Sequence, residues 1–163
     1  MPALPLDTTA NHVRYLILAI QAEGERRLNE ALRGRGLDLT ATQSEVLEIL
    51  AECGPLSQGE LGERLVCTKG NISRLIDRMA AKEMLRREPD PADRRRVRIA
   101  RTDHGRELTD AAFEVVAELL AAIRGLYTER ELAELASLLG RLSSAFGMPV
   151  DERFSAFGPG GAA

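Results

Sequence analysis

Tryptophan is absent from the 163 residues, and only two tyrosines, four phenylalanines, two cysteines and two histidines are present. Each shortage closes off a class of protein. Cys53 and Cys67 cannot build a disulfide framework, and no CxxC pair has the spacing of zinc ligands. His12 and His104 are too few for a metal site, and neither falls beside a nucleophile or a pair of carboxylates in a catalytic pattern. An enzyme is therefore not expected, and neither is a metal or cofactor. No apolar run reaches the ~18 residues of a membrane span, and no N-terminal segment has the form of a secretion signal. The expectation is a soluble, cytoplasmic chain with no membrane partner.

What is present is ordinary in amount and unusual in placement. Hydrophobic residues make up 44% and charged residues 29%, as in a globular protein, and the length suits one domain of ~100–200 residues. The net charge of -3 would by itself point away from nucleic acid. Yet residues 55–106 hold 13 Lys and Arg against 8 Asp and Glu, while the remainder holds 9 against 17. A basic block between acidic flanks points to a polyanion partner.

From Asn11 to about Leu32, Val13, Leu16, Ile17, Ile20, Leu28 and Leu32 recur at helical spacing, and Gly34-Arg35-Gly36 ends the helix. Thr40 and Gln43 form a capping box before Val46, Leu47, Ile49 and Leu50, and Gly54-Pro55 stops that helix. Ser57 and Glu60 form another box, opening a short helix to about Leu65. After a turn through Val66 and Cys67, Thr68 is placed to cap a fourth helix with Ile72, Leu75, Ile76 and Met79 facing inward. The period then changes. Leu85–Glu88 and Arg95–Arg101 read as strands, joined by the turn-rich Pro89-Asp90-Pro91-Ala92-Asp93, which is not expected to continue a ladder. A long helix follows from about Thr102, and a last one opens at Thr128 with Glu131 completing its box. Past Gly147 periodicity is lost, and residues 147–163 read as a flexible tail.

Helix, short turn, helix and a charged hairpin make a winged helix-turn-helix, which lays its second helix in the DNA major groove. The fold expected is mainly α with a small β-hairpin wing. Opposite the inward residues of the fourth helix stand Lys69, Gly70, Ser73, Arg74 and Asp77, with Asn71 on the flank. Arg and Lys suit guanine edges and Asn suits adenine, a good bidentate pair discriminating by ~1–3 kcal/mol. Gly70 permits close backbone approach, and the amides near Ser57 and Gln58 suit phosphate. Arg94, Arg95 and Arg96 stand together in the wing, with Arg86, Arg87, Arg98 and Arg101 on the adjoining strands. Arginine is also favoured in a narrow minor groove.

The stretch LSQGELGERLVCTKGNISRLIDRMAAKEMLRREPDPADRRRVRIARTDHG resembles the winged-helix core of the MarR family of bacterial transcriptional regulators, and the order of helices agrees over roughly residues 11–146. Most specific is the DPADRRR wing followed by Thr102 and Gly105. The resemblance implies a winged helix-turn-helix core at 37–104 and homodimerising helices at 11–34 and 105–146. Thr68, Lys69, Gly70, Asn71, Ser73 and Arg74 would face bases and phosphates, with Arg78 added on the same helix. Arg95, flanked by Arg94 and Arg96, would enter the minor groove, held by Asp93. Two positions depart from the family pattern: Glu83 stands where a Gly is preferred after the recognition helix, and Arg101 where an apolar residue is preferred before the Thr. The first bears on the helix C-terminus, and the second adds a cation at the wing's base.

The apolar stripes of the terminal helices exceed what a ~50-residue winged unit can cover, which favours a dimer over a monomer that packs them internally. The reading is a homodimeric repressor of a pseudo-palindromic double-stranded DNA operator, since a dimer on a promoter palindrome blocks polymerase without further contacts. The resemblance also implies release by a small aromatic or phenolic effector, for which His12, Arg14 and Tyr15 are the candidate lining residues. Two alternatives remain. Cys67 near a helix N-terminus and Lys69 would have a lowered thiol pKa and could act as a redox switch, although it also reads as a small turn residue, and the family's peroxide sensors carry their cysteine in the first helix. The unit could instead be a protein–protein adaptor, against which the arginine wing speaks.

Overall fold

The computed structural model describes residues 8–65 and 72–147. Six helices and one hairpin follow in order: α1 (Thr8–Gly34), α2 (Ala41–Cys53), α3 (Gln58–Arg64), α4 (Ile72–Ala81), β1 (Leu85–Pro89), β2 (Val97–Arg101), α5 (Asp103–Arg124) and α6 (Glu129–Ala145). The expected fold class is the observed one. The segment 66–71, with Cys67, Thr68, Lys69, Gly70 and Asn71, and the tail 148–163 lie outside the described residues.

The chain forms two compact units, residues 1–115 and 116–163, with α5 running from the first into the second. In the first unit, Leu28 and Leu32 at the end of α1 pack with Val46, Leu47, Ile49 and Leu50 of α2, Leu61 of α3, and Leu75, Ile76 and Met79 of α4. Leu85, Ile99, Ala112 and Val115 close this core from the hairpin and α5. The core therefore reaches beyond the helix-turn-helix into both flanking helices.

All three expected capping boxes are present, at Thr40/Gln43, Ser57/Glu60 and Thr128/Glu131, each satisfying amides that the helix itself leaves unpaired. α1 ends where Gly36 takes φ 74°, its amide bonding to Arg33 O and that of Leu37 to Leu32 O. α4 ends the same way without a glycine. Glu83 adopts φ 55°, its amide bonds to Ala80 O, and Met84 N bonds to Met79 O. This is a Schellman closure, with Met84 and Met79 both buried beneath it. Glu83 thus keeps the sharp helix end that its side chain put in question, at the cost of a left-handed backbone.

The hairpin pairs Leu85 with Arg101 through Pro89 with Val97. Two expectations are corrected here. β2 begins at Val97, because Arg94, Arg95 and Arg96 are drawn into the turn, where Arg96 N bonds to Asp93 O and Asp90 N to Arg96 O. Pro89 does continue the ladder: Asp90 and Arg96 are hydrogen-bonded, so by antiparallel alternation Pro89 falls at a non-bonded pair and its missing N–H costs nothing. On its other edge Ile99 exchanges both backbone bonds with Leu56, at 2.7 and 3.1 Å, anchoring the wing to the segment before α3.

The second unit has a different character. α6 contains no buried residue, and Leu120, Ile123, Leu135, Leu138, Leu139 and Phe146 are all exposed. In the first unit the N-terminal half of α1 likewise exposes Val13, Tyr15, Leu16, Leu18 and Ile20. Among the described residues no helix is long and apolar enough to cross a membrane.

Candidate nucleic-acid interface

α4 is divided cleanly by its sequence period. Leu75, Ile76 and Met79 are buried and Ile72 half-buried, while Ser73, Arg74, Asp77 and Arg78 face outward. Arg74 and Arg78 have no side-chain partner among the described residues, so both guanidinium forks are open to an incoming anion. α3 packs closely against α4: the buried Gly62 has Ile72 as its neighbour, where an added Cβ would sit 3.9 Å from Cγ2.

Ser57 and Gln58 stand at the start of α3, but the capping box limits what they offer. Ser57 N donates to Glu60 Oε2 at 2.8 Å and Glu60 N to Ser57 Oγ at 3.3 Å. These bonds hold the Glu60 carboxyl below its ordinary pKa and keep a negative charge at the helix end. The Gln58 and Gly59 amides are left as the first-turn donors suited to a phosphate.

At the wing, seven arginines stood together in the sequence, and the fold sorts them. Arg98 Nε donates to the buried Asp90 Oδ2 at 2.6 Å, and Ala92 N to Asp90 Oδ1 at 2.8 Å. The Arg98 bond, then that of Ala92, depresses the Asp90 pKa. Arg86 bonds to Glu88 and across the hairpin to Arg101 O. Arg87 reaches Asp77 on α4 at 2.6 Å. Arg101 is half-buried and donates to Thr109 Oγ1 on α5, with burial, then the charge of Arg106, lowering its pKa. Arg101 therefore braces the wing against α5 rather than adding a cation to its surface. The three at the tip remain outward: Arg94 has no partner among the described residues, and Arg95 and Arg96 share Asp93. Asp93 Oδ1 accepts from both the Arg95 amide, at 3.1 Å, and its Nε, at 3.2 Å, so one carboxylate sets backbone and side chain together. The Arg95 side chain is 92% exposed.

The wing's base is fixed by a joint. Thr102 Oγ1 donates to Glu83 O and accepts from Gly105 N at 3.0 Å, while Thr102 N bonds to Met84 O at 3.1 Å. Gly105 lies so close that a Cβ there would stand 2.1 Å from Met84 O. The Thr102 and Gly105 pair thus locks the end of α4, the end of β2 and the start of α5 to one another.

His12, Arg14 and Tyr15 are exposed on α1 and do not converge. His12 and Tyr15, three apart, share a face, whereas Arg14 points elsewhere and bonds to Asn11 Oδ1. Cys53 is exposed, and no group of three metal-ligating side chains occurs among the described residues. Sequence reasoning missed the Asp77–Arg87 and Asp90–Arg98 pairs; opposite charges on α4 and at the wing turn were the available signal, without a rule to pair them.

Comparison with known proteins bears on the family and the fold. A model of the MarR family matches residues 39–97. A helix-turn-helix transcriptional regulator of Bacillus subtilis, YcgE, is 33% identical over 107 residues, covering 66% of this chain and 70% of that protein. The transcriptional repressor NicR of Pseudomonas putida is 27% identical over 140 residues, covering 85% and 89%. Among solved structures, a mutant MarR from E. coli in complex with operator DNA superposes with a TM-score of 0.74 at 27% identity, covering 85% of this chain and 99% of that one.

Proposed function

The chain belongs to the MarR family of DNA-binding transcriptional regulators, and from that premise we propose that it is a homodimeric repressor of a pseudo-palindromic operator, released by a small aromatic or phenolic acid. The observation that carries the DNA contact is the paired presentation of outward-facing cations: Arg74 and Arg78 on the exposed face of α4, and Arg94, Arg95 and Arg96 on a tip where Asp93 pairs with the last two. In this reading Ser73 and Arg74, with Thr68, Lys69, Gly70 and Asn71 before them, meet bases and phosphates in the major groove, and Arg95 enters the minor groove. Gln58 supports a phosphate from the start of α3.

Dimerisation is supported by the apolar side chains left uncovered on α1 and on α6. A twofold dimer presents two reading heads to half-sites ~34–36 Å apart, which is why the operator should be a palindrome. Repression is the role that needs least beyond occupancy, and NicR is a repressor by name. His12 and Tyr15, on one face of α1, are the candidate contacts for the effector.

Binding to a duplex of the DNA immediately upstream of the coding sequence, titrated against unrelated duplex at several salt concentrations, tests the reading. Preferential binding that weakens by about 0.9 log units per log unit of salt for each phosphate contact supports it. Equal weak binding to both duplexes contradicts it. Light scattering on the eluting protein tests the dimer: twice the chain mass is expected, and Leu139→Glu should lower it.

A further inference from the structure

We propose that Arg87 is a charge-cancelling positioning residue for DNA binding, neutralising Asp77 on the outward face of α4 and tying that helix to the base of the wing. The inference rests on the DNA-binding reading above. Asp77 is the one carboxylate in α4, four residues after Ser73 and three after Arg74, so it shares their outward face. A bare carboxylate there would meet phosphates as a like charge, and such juxtaposition weighs heavily against a partner. Arg87 Nη2 lies 2.6 Å from Asp77 Oδ1, crossing from β1 to α4. Arg86 and Arg98 are instead balanced by Glu88 and Asp90 within the hairpin.

The magnitudes indicate what this pair is for. Its side chains are 58% and 44% exposed, so solvent screens it and its worth to folding is small. Docking on DNA displaces that solvent and strengthens every charge interaction at the contact, including the repulsion Asp77 would exert if unpaired. The pair therefore matters to binding far more than to stability.

A double-mutant cycle on the full chain tests this, using Arg87→Ala, Asp77→Asn and the combination. Affinity is read by fluorescence anisotropy on the upstream duplex across a salt series, with thermal melts confirming comparable folding. Arg87→Ala should weaken binding roughly tenfold or more. Adding Asp77→Asn should restore affinity to within about threefold of the native chain, since the charge being cancelled is gone. Asp77→Asn alone frees one cation and should steepen the salt dependence by about one unit. If Arg87→Ala is equally weak with or without Asp77→Asn, Arg87 acts directly on a phosphate and the proposal fails; an Arg87→Ala chain with native affinity overturns it as well. Should Arg87→Ala not fold, an unchanged salt slope in Asp77→Asn rejects it. A native chain that binds neither duplex overturns the DNA-binding reading itself, a result distinct from failure of the pair.

Discussion

A methyl group placed on Gly105 arrives 2.1 Å from the Met84 carbonyl oxygen and 3.1 Å from its carbon. Ordinary C···O contacts begin near ~3.3 Å, so the start of α5 must retreat by roughly 1 Å or the turn after α4 must move. Either motion pulls on the Thr102 N to Met84 O bond of 3.1 Å and on the Thr102 hydroxyl bridge to Glu83. Two weakened bonds at about 1 kcal/mol each, or equivalent packing strain of ~1–3 kcal/mol, are set against a helix-propensity gain of at most ~1 kcal/mol. Gly105→Ala should therefore destabilise the fold by about 1–2 kcal/mol once the propensity gain is subtracted. Urea unfolding followed by far-UV circular dichroism, at one fixed chain concentration because association shifts apparent stability, reads this as a lower midpoint at similar slope. A midpoint equal to or above that of the native chain would refute the reasoning, because it would mean that the close approach at Met84 does not constrain the joint.

Glu83→Gly acts on the same joint with the opposite sign: removing the Cβ from a left-handed backbone should raise stability by up to about 1 kcal/mol, and a lower unfolding midpoint would contradict the Schellman assignment. Arg95→Ala and Arg74→Ala should each weaken operator binding by ~1–3 kcal/mol with the dimer intact; native gel-shift affinity in both would reject the docking of α4 and the wing. Asp90 gives a pH dependence. Its folded pKa lies below the ordinary value, so its support of the wing is intact above the usual aspartate range near ~4 and is lost as pH falls through the lowered folded value. Protection of the Ala92 and Arg96 amides against hydrogen exchange, taken relative to the intrinsic exchange rate at each pH, should fall in acid, and Asp90→Asn should remove most of that dependence; an identical loss of protection in the variant would exclude Asp90 as its source.

The parts of this protein that could be read from the sequence are those held by neighbours three or four residues away. Thr40 and Gln43, Ser57 and Glu60, and Thr128 and Glu131 are capping boxes because their partners are fixed by chain geometry alone. The inward set Leu75, Ile76 and Met79 follows from the helical period. The wing was legible as two short strands around a charged turn, though β2 began two residues later than its composition suggested, because Asp93 and Asp90 draw the arginines into the turn.

The sequence by itself therefore determined the order of the elements, the three capping boxes, the face of α4 that would be buried and the place where positive charge gathers. Only the tertiary structure decided which of those charges are spent. Asp77 and Arg87 are ten residues apart, Asp90 and Arg98 eight, and Arg101 and Thr109 eight across an element boundary. No local period pairs them, so their partnership exists only once α4, the hairpin and α5 have packed. The same is true of Glu83, whose backbone goes left-handed because Met84 must turn under Met79, and of Gly105, whose missing side chain is explained by a carbonyl twenty-one residues earlier. Short-range geometry is written in spacing, whereas contact between distant segments depends on the whole core that brings them together.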